Sequence, residues 1–132
     1  MADVNRGKRP LSPFMIGPHY RPQITSVMSI ANRITGVFMT LGAVMIVWWF
    51  AAAATGPESF ARADGFLTHW FIVIFIWLPL LLSFWYHFVN GMRHLMWDTG
   101  YGMTLPDVYT SGYITLAATA LLSLFTLVFA LF

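Results

Sequence analysis

The 132-residue sequence predicts an all-α membrane protein with three transmembrane helices. Three observations carry that prediction. The chain is 58% hydrophobic and 9% charged, against about 25% charged in an ordinary soluble domain. Its apolar residues fall into three long stretches, each exceeding the ~20 residues that cross a ~30 Å hydrocarbon layer at ~1.5 Å rise per residue. Both faces of every stretch are apolar, which does not fit the alternating pattern of barrel strands.

The first span, about 26–54, reads "SVMSIANRITGVFMTLGAVMIVWWFAAAA", with its only charge, Arg33, near the start. The second, about 66–93, contains "LTHWFIVIFIWLPLLLSFWYHFVNGM". Pro79 in its middle lacks an N–H and predicts a kink. The third, about 108–132, has no charge. Between them, "TGPESFARADG" and "DTGYGMTLPD" read as turn-rich loops. Residues 1–25 then form an amino-terminal segment ahead of a single membrane domain, 26–132.

Orientation follows from the cations. Arg6, Lys8, Arg9, Arg21 and Arg33 crowd the amino-terminal flank, Arg93 opens the second loop, and the first loop has Arg62 alone. The positive-inside tendency puts the amino terminus and the second loop in the cytoplasm and the carboxyl terminus in the periplasm. Trp48, Trp49 and Trp70 then mark one interface, and Trp97, Tyr101 and Tyr109 the other. The first apolar block starts too late and runs too long for a cleavable signal peptide. With an initiating Met and no transit peptide, the expectation is a bacterial inner (plasma) membrane rather than a mitochondrial one.

The absence of cysteine excludes disulfides, thiolate metal sites and iron–sulfur ligation within this chain, so any metal centre rests on histidine or carboxylate. The net charge of +2 is small and the basic residues form no run, which argues against a nucleic-acid partner.

The stretch "HFVNGMRHLMWD" holds the densest cluster of polar groups. His87, Gly91, His94 and Asp98 fall on one stripe of a helix. His87 lies six residues before Arg93, about 9 Å deeper along the axis, inside the hydrocarbon zone. An ionisable group there is costly, and a neutral imidazole is a good iron ligand. His87 therefore either hydrogen-bonds a neighbouring helix or serves as a ligand or proton relay. Gly91, one turn on, removes a side chain where a macrocycle or a close-packed helix can approach. The first and third spans contain no histidine, His69 is ~27 Å away along the same helix, and His94 is on the same side as His87. Met39 and Met45 are formal donors; a bis-histidine haem takes its second ligand from another chain.

A second constellation is "SIANRITG". Ser29 and Arg33, at i and i+4, share a face. A hydroxyl and a guanidinium at this depth suit a quinone head group or a haem propionate; on spacing alone an ordinary helix start with Arg33 snorkelling is the more economical reading. Asp98 either exchanges protons near water or pairs with a nearby arginine. His19 and His69 read as interfacial.

Three features in order, "RPLSP", "SIANRITG" and "HFVNGMRHLMWDTG", resemble the cytochrome b556 membrane-anchor subunits of succinate dehydrogenase, the succinate:quinone oxidoreductase of the respiratory chain. The resemblance covers essentially the whole chain, and the last motif is the specific one. It implies that His87 is an axial ligand of haem b, with the other ligand supplied by a second small anchor subunit. It further implies that Ser29, Arg33 and Asp98 belong to the quinone site, that Arg33 and His94 approach the haem propionates or the quinone, and that FAD and the iron–sulfur clusters reside in flavoprotein and iron–sulfur partner subunits. One position departs from the family pattern: Asn32 stands where a histidine is usual, and it can donate a hydrogen bond to a propionate but carries no charge. The competing readings are a quinol:fumarate reductase anchor and, from another class, a small transporter or channel subunit. The lack of any Asp or Glu within the predicted spans weighs against a proton-coupled carrier.

Overall fold

The computed structural model describes residues 21–131, all helical apart from short connections. The "RPLSP" motif, His19, Arg6, Lys8 and Arg9 lie outside the described residues. Three helices are long and apolar enough to cross a membrane: α1 (Ile24–Thr55), α3 (Trp70–Asp98) and α4 (Leu105–Leu131). A shorter helix, α2 (Pro57–Leu67), joins the first two. The central helix is α3, packed on α1 and on α4, while α2 folds back on α1.

Both connections differ from the expectation. The segment 55–65 was expected as a loop, yet most of it is α2. Gly56, at φ +135°, ends α1, and Pro57 starts the next helix at a position where its missing N–H costs nothing. Ala63 and Leu67 then bury against α1, while Arg62 and Glu58 pair at 3.6 Å on the outer side. The glycine and proline punctuate an amphipathic interfacial helix. The second span consequently begins at Trp70, not near 66, and His69 caps it, its Nδ1 accepting the Phe71 N–H at 3.3 Å. It also runs on to Asp98, so Arg93 lies inside the helix and the second connection is confined to residues 99–104.

At Pro79, where a kink was the expectation, the helix shows a local widening. A π-helical turn spans Val73–Trp77, with the Leu78 N–H bonded to the Val73 carbonyl five residues back. The wider turn accommodates a proline ring that would collide with the carbonyl four residues earlier in a regular helix.

The seam between α3 and α4 is rich in polar and small residues, and the exterior is apolar. Ser83, Tyr86, Asn90 and Arg93 form the buried stripe of α3; Gly112, Thr115, Thr119 and Ser123 form that of α4. In lipid, helices gain nothing by hiding leucine from leucine, so small residues and hydrogen bonds decide which faces meet. Arg93 is the centre of this seam. Its Nε donates to Ser111 Oγ at 2.9 Å, Nη2 to the Val108 carbonyl at 2.8 Å, and Nη1 to Asn90 Oδ1 at 3.5 Å. The guanidinium carbon sits 4.0 Å from the centroid of the Trp97 ring. Tryptophans obey the same rule: the indole N–H groups of Trp49, Trp77, Trp85 and Trp97 reach Asp64, the Leu67 carbonyl, Thr126 and the Gly102 carbonyl. Thr104 caps α4, its Oγ1 accepting the Asp107 N–H at 3.4 Å while its hydroxyl donates to Asp107 Oδ2 at 2.6 Å.

Membrane side-chain hydrogen bonds contribute roughly 0.6–1.7 kcal/mol each. Arg93→Met, which removes all of these bonds, should therefore lower stability in a detergent unfolding titration by a few times the loss caused by Ser111→Ala, itself on the order of 1 kcal/mol. Equal losses would show that Ser111 alone carries the clamp.

Candidate functional site

The polar seam fixes the rotation of α3 and thereby the direction of His87. The buried stripe of Ser83 to Arg93 lies about 90° around the helix from the stripe of His87, Gly91, His94 and Asp98, at 100° per residue. One face is spent on α4 through Arg93 and on α1 through Tyr86; the other turns toward α1 and the outside. The second stripe survives to its end because α3 continues unbroken to Asp98.

His87 is half-buried against α1. Its Nδ1 lies 3.1 Å from the Asn32 carbonyl oxygen and 3.3 Å from Thr35 Oγ1. A carbonyl oxygen only accepts, so the contact assigns the proton to Nδ1. Nε2 makes no hydrogen bond among the described residues, and it is not among the buried polar atoms left without a partner. Gly36 makes the approach possible: a Cβ there would lie 3.1 Å from His87 Cε1. Close by along α3, Tyr86 donates its hydroxyl to the Met28 carbonyl at 2.8 Å, and Leu80 packs over Gly42.

The region beside His87 fits a flat ligand that takes an imidazole from this chain. Gly91 faces open space, with nothing within 4 Å of where a Cβ would be. Asn32 Oδ1 is buried without a hydrogen-bond partner, and rotating the amide would present its NH₂ instead. Among the described residues, no three His, Asp or Glu side chains gather where a metal could bind.

The remaining expected residues share the same end of the bundle without touching one another. Ser29 and Arg33 are both exposed on α1, and Arg33 borders a shallow recess of about 330 Å³ with Ile34, Val37 and Phe38. His94 is exposed and stands edge-on to Trp97, their ring centroids 5.1 Å apart. Asp98 is exposed at the last residue of α3 and forms no ion pair among the described residues; the arginine nearest in sequence, Arg93, is committed to α4. Asn32 is brought to His87 through its main chain. Sequence reasoning passed over Thr35 and Gly36 and read Arg93 only as a cation at the start of a loop. The first two stood in plain view within "SIANRITG", but only the crossing of α1 and α3 shows what they touch.

The family described as "Succinate dehydrogenase/Fumarate reductase transmembrane subunit" matches residues 5–126. The chain is 40% identical over 128 residues to the succinate dehydrogenase cytochrome b556 subunit of Paracoccus denitrificans, covering 97% of this chain and 96% of that one. It is 39% identical over 128 residues to the succinate dehydrogenase cytochrome b560 subunit of Marchantia polymorpha, covering 91% and 89%. With the cytochrome b556 subunit of Rickettsia prowazekii (strain Madrid E) it shares 33% identity over 117 residues, covering 89% of each.

The exposed and packed polar groups should respond differently to substitution. His94→Ala and Asp98→Asn are expected to leave the detergent unfolding midpoint at its wild-type value, whereas Tyr86→Phe lowers stability by about 1 kcal/mol through the lost Met28 bond. A destabilised Asp98→Asn would place that carboxylate in the packing.

Proposed function

Because this chain belongs to the family of succinate dehydrogenase/fumarate reductase transmembrane subunits, we propose that it is the cytochrome b anchor of a succinate:quinone oxidoreductase, binding haem b and forming part of the ubiquinone-reduction site. The observation that carries this reading is His87: an imidazole within a membrane span, protonated at Nδ1 and unengaged at Nε2. Such a ring is oriented for iron by its neighbours. When bound, haem b supplies a one-electron store near the quinone.

The other roles follow from placement. Ser29 and Arg33 donate hydrogen bonds to the quinone oxygens and stabilise the negative charge that develops there, with the recess beside Arg33 receiving apolar parts of the molecule. Asp98, at the water-exposed end of α3, relays protons. His94 and Asn32 make propionate or quinone-side contacts. A second small anchor subunit provides the other axial ligand. Succinate oxidation itself belongs to the flavoprotein, and electrons arrive through the iron–sulfur subunit; this chain, lacking cysteine, cannot ligate such clusters through thiolates. The relatives' names support the succinate-oxidising direction, in the tricarboxylic acid cycle and respiratory chain, over quinol:fumarate reduction. The bacterial names among them support a bacterial plasma membrane, with the amino terminus cytoplasmic by the distribution of cations.

A dithionite-reduced minus oxidised visible spectrum of the purified complex tests the haem assignment. Wild type should show a sharp b-type α-band that His87→Ala abolishes or shifts; an intact complex with a flat wild-type spectrum would refute it. Arg33→Ala should lower ubiquinone reduction roughly tenfold or more, the scale of one charge-assisted hydrogen bond of about 1.5–3 kcal/mol, while dye-linked succinate oxidation persists. Parallel loss of both activities in an assembled complex would remove Arg33 from the quinone site.

A further inference from the structure

We propose that Thr35 and Gly36 on α1 are positioning residues for His87, Gly36 setting the orientation of its ring and Thr35 its strength as an electron donor to iron. The inference rests on the reading of His87 as a haem ligand.

The hydroxyl of Thr35 faces two ways. Its proton is directed back into its own helix, toward the carbonyls of Ala31 at 2.9 Å and Asn32 at 3.0 Å. The oxygen lone pairs are thereby turned toward His87 Nδ1 at 3.3 Å. The Nδ1 proton is then shared between Thr35 Oγ1 and the Asn32 carbonyl oxygen at 3.1 Å. Acceptance of a hydrogen bond at one ring nitrogen makes the other a stronger donor, and such partners orient and tune a metal-bound imidazole. A stronger donor stabilises ferric iron relative to ferrous and lowers the reduction potential. Losing the Thr35 acceptor should therefore raise that potential, while the Asn32 carbonyl continues to hold the ring.

Gly36 acts by space. A methyl group there would stand 3.1 Å from His87 Cε1 and 3.6 Å from Nδ1. The helices have little room to separate, since Tyr86 binds the Met28 carbonyl and Leu80 fills the notch at Gly42. The ring must therefore give by a few tenths of an ångström, which tilts its Nδ1–H relative to the two oxygens.

The test uses the complete complex carrying Thr35→Val, Thr35→Ser, Gly36→Ala or Thr40→Val. Thr40 is a control on the same helix, its hydroxyl bonded to the Gly36 carbonyl at 3.1 Å. The readouts are the haem-to-flavin ratio, the haem midpoint potential by redox titration, and the low-spin ferric EPR spectrum. Thr35→Val should retain full haem with an upward-shifted potential, and Thr35→Ser and Thr40→Val should match wild type. Gly36→Ala should lose haem or change the EPR g-values. An unmoved or lowered potential in a haem-replete Thr35→Val complex overturns the role of Thr35, and a wild-type EPR spectrum in Gly36→Ala overturns that of Gly36. Should Gly36→Ala fail to assemble, the Thr35→Val potential decides the proposal. A wild-type complex without haem instead overturns the ligand assignment, and this inference with it.

Discussion

A buried guanidinium governs how this bundle is put together. Arg93 lies 6% exposed between α3 and α4, with donors aimed at Ser111, the Val108 carbonyl and Asn90 and its flat face against Trp97. Removing water strengthens each of these contacts and makes any unmade one costly, because the surrounding lipid offers no replacement partner. The clamp leaves α3 one rotational setting relative to α4. Every statement about what the other faces of α3 can do depends on that setting.

From that setting follows a division of labour around a single helix. Ser83, Tyr86, Asn90 and Arg93 are consumed by packing, while His87, Gly91, His94 and Asp98 are turned away from α4. Of this second group only His87 is held by a neighbour, and it is held by one nitrogen. The contrast separates two kinds of intramembrane polar residue that look alike in sequence. Arg93 spends its donors on Asn90 Oδ1, Ser111 and the Val108 carbonyl within the seam, where the Asn90 amide nitrogen is left without a partner; the imidazole leaves Nε2 unengaged at the other face.

The spans were legible because the bilayer imposes length and composition directly on the sequence, and Arg33, Pro79 and the flanking cations interrupt them in interpretable ways. The stripe from His87 to Asp98 was legible because helical periodicity is local. Two things were not. Gly56, Pro57 and the charges of α2 carry the same residue types as a loop, and only the burial of Ala63 and Leu67 against α1 makes that segment a helix. Arg93 looked like a cation marking a membrane boundary, since nothing local distinguishes an arginine that snorkels from one that crosses to another helix. The contacts of Thr35 and Gly36 with His87 join residues 52 and 51 positions apart, a register set by how α1 and α3 cross.

The wide turn at Val73–Trp77 gives α3 two angular phases. A π-turn takes up one additional residue, about 100° of rotation, so the segment before it and the segment after it are indexed separately to their surroundings. The turn itself is tied to α2, through the bond from the Trp77 indole to the Leu67 carbonyl; the part from Leu78 onward is indexed to α1 and α4. Insertions and deletions near Trp70 can thus be absorbed as a change of pitch in the turn. The same events placed beyond Leu78 would rotate His87 away from Asn32 and Arg93 away from Ser111 together, so the two halves of one span differ sharply in how much change of length they tolerate.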